Sequence, residues 1–592
     1  MTFRQLSEYF QKLEQTSARL KITEILADLF KKAKVEETDK IAYLSLGMLL
    51  PPYEGLEFQM ADKMMARAVA KAFGVEEKEV QRRYKEVGDL GTVGEEVQKK
   101  GGGAKIQAGL FDKKKKSKKE LTVGQVYESL LEIAKEGGAG SVERKIAKMA
   151  VLLDDLDALS VRYTVRIPLA KLRLGFSDLT VLDALSWMEK GDKSLRPQLE
   201  AAFNVLADIG KIAQIFKKKG LRGLAEIKAE VGTPILPALA QRLGTVEEML
   251  EKMGKVALEP KYDGTRLELH LKRRGKETET KIFTRNLENV THMFPDVAEA
   301  LVKETKAKNA IFDSEGVGVD PRSGHFLPFQ KTIKRKRKHG VIEVAKEIPF
   351  KVFVFDILYK DGRSLTDKPF VERRKILEAT LPKKPNILII SPQMVTDKPE
   401  EMREYHDQQI ANGLEGVMVK KIDSPYEAGR RGFTWVKYKQ EESKKGGGLA
   451  DTLETVVMGT YRGKGKRAKF GVGAFLVGVR KGESFVTVSK IGTGLSDEQW
   501  QEIYKRTQKA AVKSKEQPRQ YQVNKNLAPD TWIKPKIVVE IQADNITQSP
   551  IHTAGLALRF PRLLRFRDDK PAEQATTTKE LLQLYKLQFD RG

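Results

Sequence analysis

The sequence predicts a multidomain protein: an all-α domain over residues 1–215, an α+β domain over 216–445 and a small β-barrel over 446–592. Three observations predict it. A chain of 592 residues is too long for one core, and about 150 residues per domain gives three or four units. Apolar residues recur at helical spacing in the first part, then give way to short runs of strand character. Stretches rich in glycine and lysine, which cannot bury a core, interrupt the pattern at residues 99–119 and 444–448.

In the first part, Phe3, Leu6, Phe10 and Leu13, then Ile22, Ile25, Leu26 and Leu29, trace apolar faces three and four residues apart. In the middle part, Leu267-Glu268-Leu269-His270-Leu271, Lys351-Val352-Phe353-Val354-Phe355 and Val417-Met418-Val419-Lys420 read as strands between amphipathic helices. Lys444-Lys445-Gly446-Gly447-Gly448 reads as a hinge. Beyond it, Thr455-Val456-Val457-Met458, residues 473–479 and Ile537-Val538-Val539-Glu540-Ile541 are short strands separated by glycines, which suggests a barrel.

Lys and Arg number 107 against 81 Asp and Glu, a formal charge of +26 that favours a polyanionic partner, most simply nucleic acid. Generic basic solubility is the competing reading. With no cysteine there is no disulfide, and with only six histidines a structural zinc site is not expected. No run of about eighteen apolar residues occurs, and Met1-Thr2-Phe3-Arg4-Gln5-Leu6 lacks a signal-peptide core. A soluble, cytoplasmic protein without a membrane partner is expected, nucleoid-associated if prokaryotic.

Chemistry is expected at Glu259-Pro260-Lys261-Tyr262-Asp263-Gly264-Thr265-Arg266, where one lysine follows the strand-like Val256-Ala257-Leu258 and precedes an Asp-Gly turn. A rigid strand end fixes the reach of an amine, and glycine admits close backbone approach. The competing reading is a surface hairpin with ordinary charges. Lysine is almost wholly protonated at neutral pH, so a nucleophilic one needs cations or a metal nearby. Arg266, Arg285, Arg431, Lys437 and Lys439 are candidates, opposed by Asp263 and Glu259. A triphosphate needs a divalent cation, for which Glu315 and Glu415 offer carboxylates at strand edges. Lys437 and Lys439, two apart on a strand, share a face and suit charge developing on a phosphate. Phe355 offers a stacking surface for a purine. Each has a bland alternative as core, salt bridge or solvated face; their joint order within one domain favours function.

These motifs resemble the covalent lysine nucleotidyltransferases, specifically the ATP-dependent DNA ligases of archaeal and eukaryotic type. The resemblance extends through Phe283-Thr284-Arg285-Asn286-Leu287-Glu288-Asn289, Phe312-Asp313-Ser314-Glu315, Leu327-Pro328-Phe329-Gln330 and the basic Lys334-Arg335-Lys336-Arg337-Lys338. It continues through Phe353-Val354-Phe355-Asp356, Leu414-Glu415-Gly416-Val417-Met418-Val419-Lys420, Ala428-Gly429-Arg430-Arg431 and Arg567-Asp568-Asp569-Lys570. Upstream, Leu50-Pro51-Pro52-Tyr53-Glu54-Gly55 and Lys171-Leu172-Arg173-Leu174-Gly175 are similar to that family's DNA-encircling helical module.

The resemblance implies an all-α DNA-binding domain, an ATP-grasp-like adenylation domain and a C-terminal OB-fold. It implies an enzyme that seals nicks in duplex DNA for replication, repair and recombination, using ATP and Mg2+ and acting as a monomer. Lys261 carries AMP; Glu259 reads the adenine and Phe355 stacks on it. Arg266 and Glu315 hold ribose or metal, Glu415 metal, Arg285 and Arg431 phosphates, and Lys437 the α-phosphate, with Lys439 in support. Arg567 and Lys570 contact the leaving pyrophosphate, which requires the 444–448 hinge to move. The rival readings are an RNA-directed adenylyl- or guanylyltransferase and a catalytically silent DNA-binding scaffold. Two departures stand out: Leu236 where arginine is usual, and Pro168-Leu169-Ala170 in place of a more usual Ile-Leu-Gly, expected within a helix near DNA. Gln107-Ala108-Gly109-Leu110-Phe111 has the spacing of a sliding-clamp box, against the alternative of a chance apolar patch in a linker.

Overall fold

The computed structural model describes residues 1–100, 120–172, 174–327, 329–337, 340–429, 431–439, 452–463, 470–514, 516–543 and 545–587, with only the backbone of Phe329, Gln330 and Arg431. Arg173, Pro328, Lys338 and Arg430 of the quoted motifs, the Gln107 to Phe111 box and the 444–448 hinge lie outside the described residues. The chain divides into two compact units, Met1–Gln440 and Glu441–Gly592.

Helices carry the first unit from Phe3–Glu14 to Ile209–Ala225. Their starts are written locally: Thr2 with Gln5, and Thr122 with Gln125, each form a capping box. Phe3 N–H donates to the Leu121 carbonyl at 2.8 Å, which ties the chain together across the glycine- and lysine-rich stretch. The apolar faces merge in one core that includes Phe3, Leu6, Phe10, Leu26 and Leu29.

Pro168-Leu169-Ala170 is not within a helix. The helix Ala158–Arg166 stops, and the chain turns so that Lys171 N–H donates to the Arg166 carbonyl and Ala170 N–H to the Ile167 carbonyl, each at 3.0 Å. This Schellman arrangement needs a left-handed residue after the helix, and Ala170 supplies it at φ 52°. The glycine usual at this place in the resembling family is the residue that would do so without a steric penalty.

The α+β part follows as eleven described strands: β1 (Leu239–Arg242), β2 (Val256–Pro260), β3 (Thr265–Arg274), β4 (Glu277–Thr284), β5 (Asn309–Gly318), β6 (Phe350–Lys360), β7 (Arg363–Ser364), β8 (Leu388–Ile390), β9 (Met394–Thr396), β10 (Gly416–Lys421) and β11 (Arg431–Lys439). They form two sheets, ordered β1-β11-β10-β2-β9 and β4-β3-β5-β6-β7, with β8 parallel to β6. Each sheet has its own apolar core.

In the second unit, six strands run from Tyr521–Gln522 through Ser484–Ile491, Val472–Lys481, Leu453–Arg462 and Val538–Gln542 to Arg562–Phe566. A separate ribbon pairs Asn545–Gln548 with Leu556–Arg559. Among the described residues this path does not close on itself, so what stands is a C-terminal β-domain rather than the closed barrel the glycine-punctuated strands suggest. No helix among the described residues is long and apolar enough to cross a membrane.

Candidate active site

β2 and β3 are consecutive in the chain but belong to different sheets, so residues 261–264 carry the backbone from one sheet to the other. The hairpin reading fails on that point. Gly264 does not take the left-handed conformation of a hairpin turn; its missing side chain matters because a Cβ there would run into the Gly316 carbonyl of β5. Lys261 N–H donates to the Gly416 carbonyl at 2.9 Å, and Glu415 N–H reaches back to the Lys261 carbonyl at 3.4 Å. The β2–β10 ladder thus extends by one rung and sets Glu415 beside the lysine.

The Lys261 ammonium pairs with Glu415, and Lys439 approaches the same carboxylate oxygen at 2.9 Å. The sequence reading surrounded Lys261 with cations; the structure places a carboxylate in direct contact and a cation behind it. Burial raises the Glu415 carboxyl, but Lys261 and Lys439 outweigh it and hold it down to about 2. Glu315, opposite Arg266 in the β3–β5 register, behaves otherwise. Burial pushes its carboxyl up to about 8, against the pull of Arg266 and Lys261.

A cavity of about 510 Å³ opens between the sheets. Glu259 of β2, Met418 and Lys420 of β10, and Trp435, Lys437 and Lys439 of β11 line one side, all on the face that strand alternation predicts for the two lysines. Arg266, Glu315 and Phe355 line the other, with Thr284 at the end of β4 and Arg285 and Asn286 just beyond it at the rim. Phe355 reaches the cavity through a bulge. Asp356 pairs with Asp313 and Val354 with Ser314, so Phe355 is the extra residue between two rungs.

Arg266 is braced by Asp313 of the Phe312-Asp313-Ser314-Glu315 motif and by two groups no motif announced, the Ala238 carbonyl and Tyr426. Its Nε donates to Asp313 at 2.9 Å and one terminal nitrogen donates to the Ala238 carbonyl at 2.7 Å. The other donates to Asp313 at 2.5 Å and to the Tyr426 hydroxyl at 3.3 Å. Tyr426 in turn donates to Asp313 at 2.6 Å. The buried Glu259 carboxylate accepts from Lys420 at 2.7 Å and from Arg374 at 3.5 Å, while burial pushes its carboxyl above the usual range. The Lys420 ammonium lies 4.5 Å from the Phe355 ring centre and 4.3 Å from that of Trp435, and burial lowers its proton affinity. Lys420 was legible, since alternation from Met418 puts it on the cavity face. Tyr426 was not, because it arrives from a loop with no periodicity.

Two predicted residues lie elsewhere. Arg567 and Lys570 belong to the second unit, where both pair with Glu454, Arg567 also with Asp569 at 2.7 Å. Of Arg431, only the backbone on β11 is described.

Three buried polar atoms on the cavity wall, Thr265 Oγ1, Thr284 Oγ1 and Trp435 Nε1, have no hydrogen-bond partner among the described residues. A polar ligand would satisfy them, and an apolar one would not. No group of three or more acidic or histidine side chains is gathered for a metal among the described residues. Glu315 and Glu415 are carboxylates near Lys261 that could hold a cation.

A cavity between two sheets that is walled by five lysines, two arginines and the carboxylates of Glu259, Asp263 and Glu315 suits a phosphate-bearing ligand such as a nucleotide. The family described as ATP dependent DNA ligase domain matches residues 237–439, DNA ligase N terminus matches 2–186, and the ATP dependent DNA ligase C terminal region matches 468–570. A probable DNA ligase of Dictyoglomus turgidum is 42% identical over 99% of this chain and 98% of its own length. A DNA ligase of Acidianus ambivalens is 39% identical over 100% of this chain and 98% of its own. A solved structure titled Pmar-Lig_Pre shares the fold, with a TM-score of 0.53 and 17% identity over 95% of this chain and 99% of that one. The chain belongs to the ATP-dependent DNA ligase family, and its activity is the sealing of nicks in DNA.

Proposed function

We propose that Lys261 is the nucleophile of this ligase and carries AMP between ATP and the 5′-phosphate of a nick. The observation that carries the reading is the seat of Lys261 at the crossing of two sheets, its side chain on the cavity wall and its backbone fixed by bonds to Gly416 and Glu415. Lys261 leaves Glu415, gives up a proton to solvent, and the neutral amine attacks the α-phosphate; a P–N bond forms, and the bond to pyrophosphate breaks. AMP then passes to the 5′-phosphate of the nick, and the neighbouring 3′-hydroxyl expels it to close the strand.

Glu259 and Lys420 face the adenine edge, and Phe355 and Met418 offer apolar faces from opposite sheets. Arg266 borders the ribose, with four of its five N–H hydrogens already donated to Asp313, Ala238 and Tyr426. Arg285 and Arg431 contact phosphates, and Lys437, supported by Lys439, meets the charge that develops at the α-phosphate. Glu315 and Glu415 would hold Mg2+, which would neutralise phosphate charge and draw Glu415 away from the lysine. Arg567 and Lys570 face the pyrophosphate, and the second unit acts as an OB-fold that approaches and withdraws about the 444–448 hinge. The chain works in the cytoplasm as a monomer, in replication, repair and recombination, with residues 107–111 as the docking box for a sliding clamp.

One gel tests the core of this reading. Wild type incubated with labelled ATP, Mg2+ and a nicked duplex forms labelled protein and then sealed DNA; Lys261→Ala forms neither. A labelled Lys261→Ala protein would overturn the assignment.

A further inference from the structure

The turn that carries Arg285 into the cavity is seated on the helical part of the same unit. Thr284 N–H donates to the Glu288 carbonyl at 3.0 Å and Leu287 N–H to the Thr284 carbonyl at 2.8 Å, closing a tight loop beyond β4. Arg285 and Asn286 stand exposed at its tip, whereas Leu287 is buried. Leu287 also holds φ 63°, a left-handed conformation that a branched apolar residue adopts only when its surroundings compel it.

What compels it is a small joint. Leu287 and Phe283 pack with Tyr53 and Ala207 of the helical part, and Leu236 closes the cluster where the family usually has arginine. Tyr53 is itself fixed. Its hydroxyl donates to one oxygen of the buried Asp208 at 3.0 Å, while Tyr43 donates to the other at 2.5 Å. Asp208 also caps the helix Ile209–Ala225 by accepting from Lys211 N–H. Beside this joint the two parts leave an open cavity of about 920 Å³, bordered by Pro51, Pro52, Glu288 and His292. The helical part therefore meets the Arg285 turn at a narrow apolar contact next to empty space.

We propose that Leu287 is a positioning residue, and that its contact with Tyr53 couples the seating of the helical domain to the placement of Arg285 in the nucleotide cavity. Tyr53 lies in the segment similar to the family's DNA-encircling helical module and is tied to that module through Asp208, so a shift of the helical domain on DNA shifts the floor on which the Arg285 turn rests. This rests on the proposed nucleotide reading of the cavity and adds a route by which DNA engagement reaches it.

The test is self-adenylylation of full-length protein with labelled ATP, read as half-saturation and maximal rate. Leu287→Gly removes the side chain and relaxes the backbone, so the variant folds. It should raise the ATP half-saturation about tenfold while maximal rate stays within about twofold, and Leu287→Met should restore it. Tyr53→Ala should do the same, and the Leu287→Gly/Tyr53→Ala double variant should add nothing further. An unchanged half-saturation in Leu287→Gly, where Arg285→Ala has lost affinity, overturns the coupling and leaves the nucleotide site standing. An Arg285→Ala protein with wild-type affinity overturns the coupling together with the assignment of this turn to the nucleotide.

Discussion

Glu315 and Glu415 both face Lys261 with opposite proton affinities, one pushed up to about 8 by burial, the other held to about 2 by two lysines. The difference is one of company. Glu415 has direct cationic partners, whereas Glu315 feels Arg266 and Lys261 only at longer range. A carboxyl raised in the folded state binds its proton more tightly there than in the unfolded chain. Its contribution to stability is therefore full below the unfolded value near 4.5 and is lost as pH rises toward 8. Metal-free protein should lose thermal stability across that window, and Glu315→Gln should flatten the loss by on the order of a few kcal/mol. Melting curves at pH 5, 6, 7 and 8 in chelator check it, and parallel profiles for the two proteins would refute it. The lysine itself was legible, since strand, turn and amine are local. The aim of Phe355 was not, because a bulge depends on the register of a partner strand that sequence does not name.

At the scale of elements, the strand runs at 267–271, 351–355 and 417–420 were readable from apolar alternation, and each lies in a strand. Alternation tells which face a residue takes but not which strand it pairs with. Hence alternation left open the competing reading of β2 and β3 as arms of one hairpin, although they sit in separate sheets. Helix ends are subtler still. Ala170 looked like a change in a DNA-facing helix and proves to be the left-handed cap of one. An alanine there is strained by about 1 kcal/mol, less the entropy that glycine loses on folding. Ala170→Gly should therefore stabilise the first unit by up to about 0.5 kcal/mol, a rise of about 0.5 °C in Tm by calorimetry. A lowered Tm would show that the turn does not hold the conformation described.

Over the whole molecule, a net charge of +26 acquires its purpose from a polyanionic substrate. If about six to ten phosphates are neutralised, affinity for a nicked duplex should fall about a thousandfold or more between 50 and 200 mM salt. Fluorescence anisotropy at graded salt measures the slope. Near-constant affinity would mean that the charge serves solubility instead. Sequence texture divides the chain in three, yet the helical and α+β parts pack as one compact unit. Their joint at Tyr53, Leu236, Phe283 and Leu287 joins residues far apart in the chain, each of which looks locally like ordinary core or loop.

The sharing of Glu415 by Lys261 and Lys439, and of Glu259 by Lys420 and Arg374, also makes the resting cavity a discriminator. Lys261, Lys439, Lys420 and Arg374 are already matched, so a lone sulfate or inorganic phosphate there must break a formed pair and offers little in return. Only a ligand that supplies a ring for Phe355, a hydroxyl-bearing sugar and a chain of phosphates at once can make the exchange favourable. Selectivity for a whole nucleotide over simple anions would thus lie in these ion pairs.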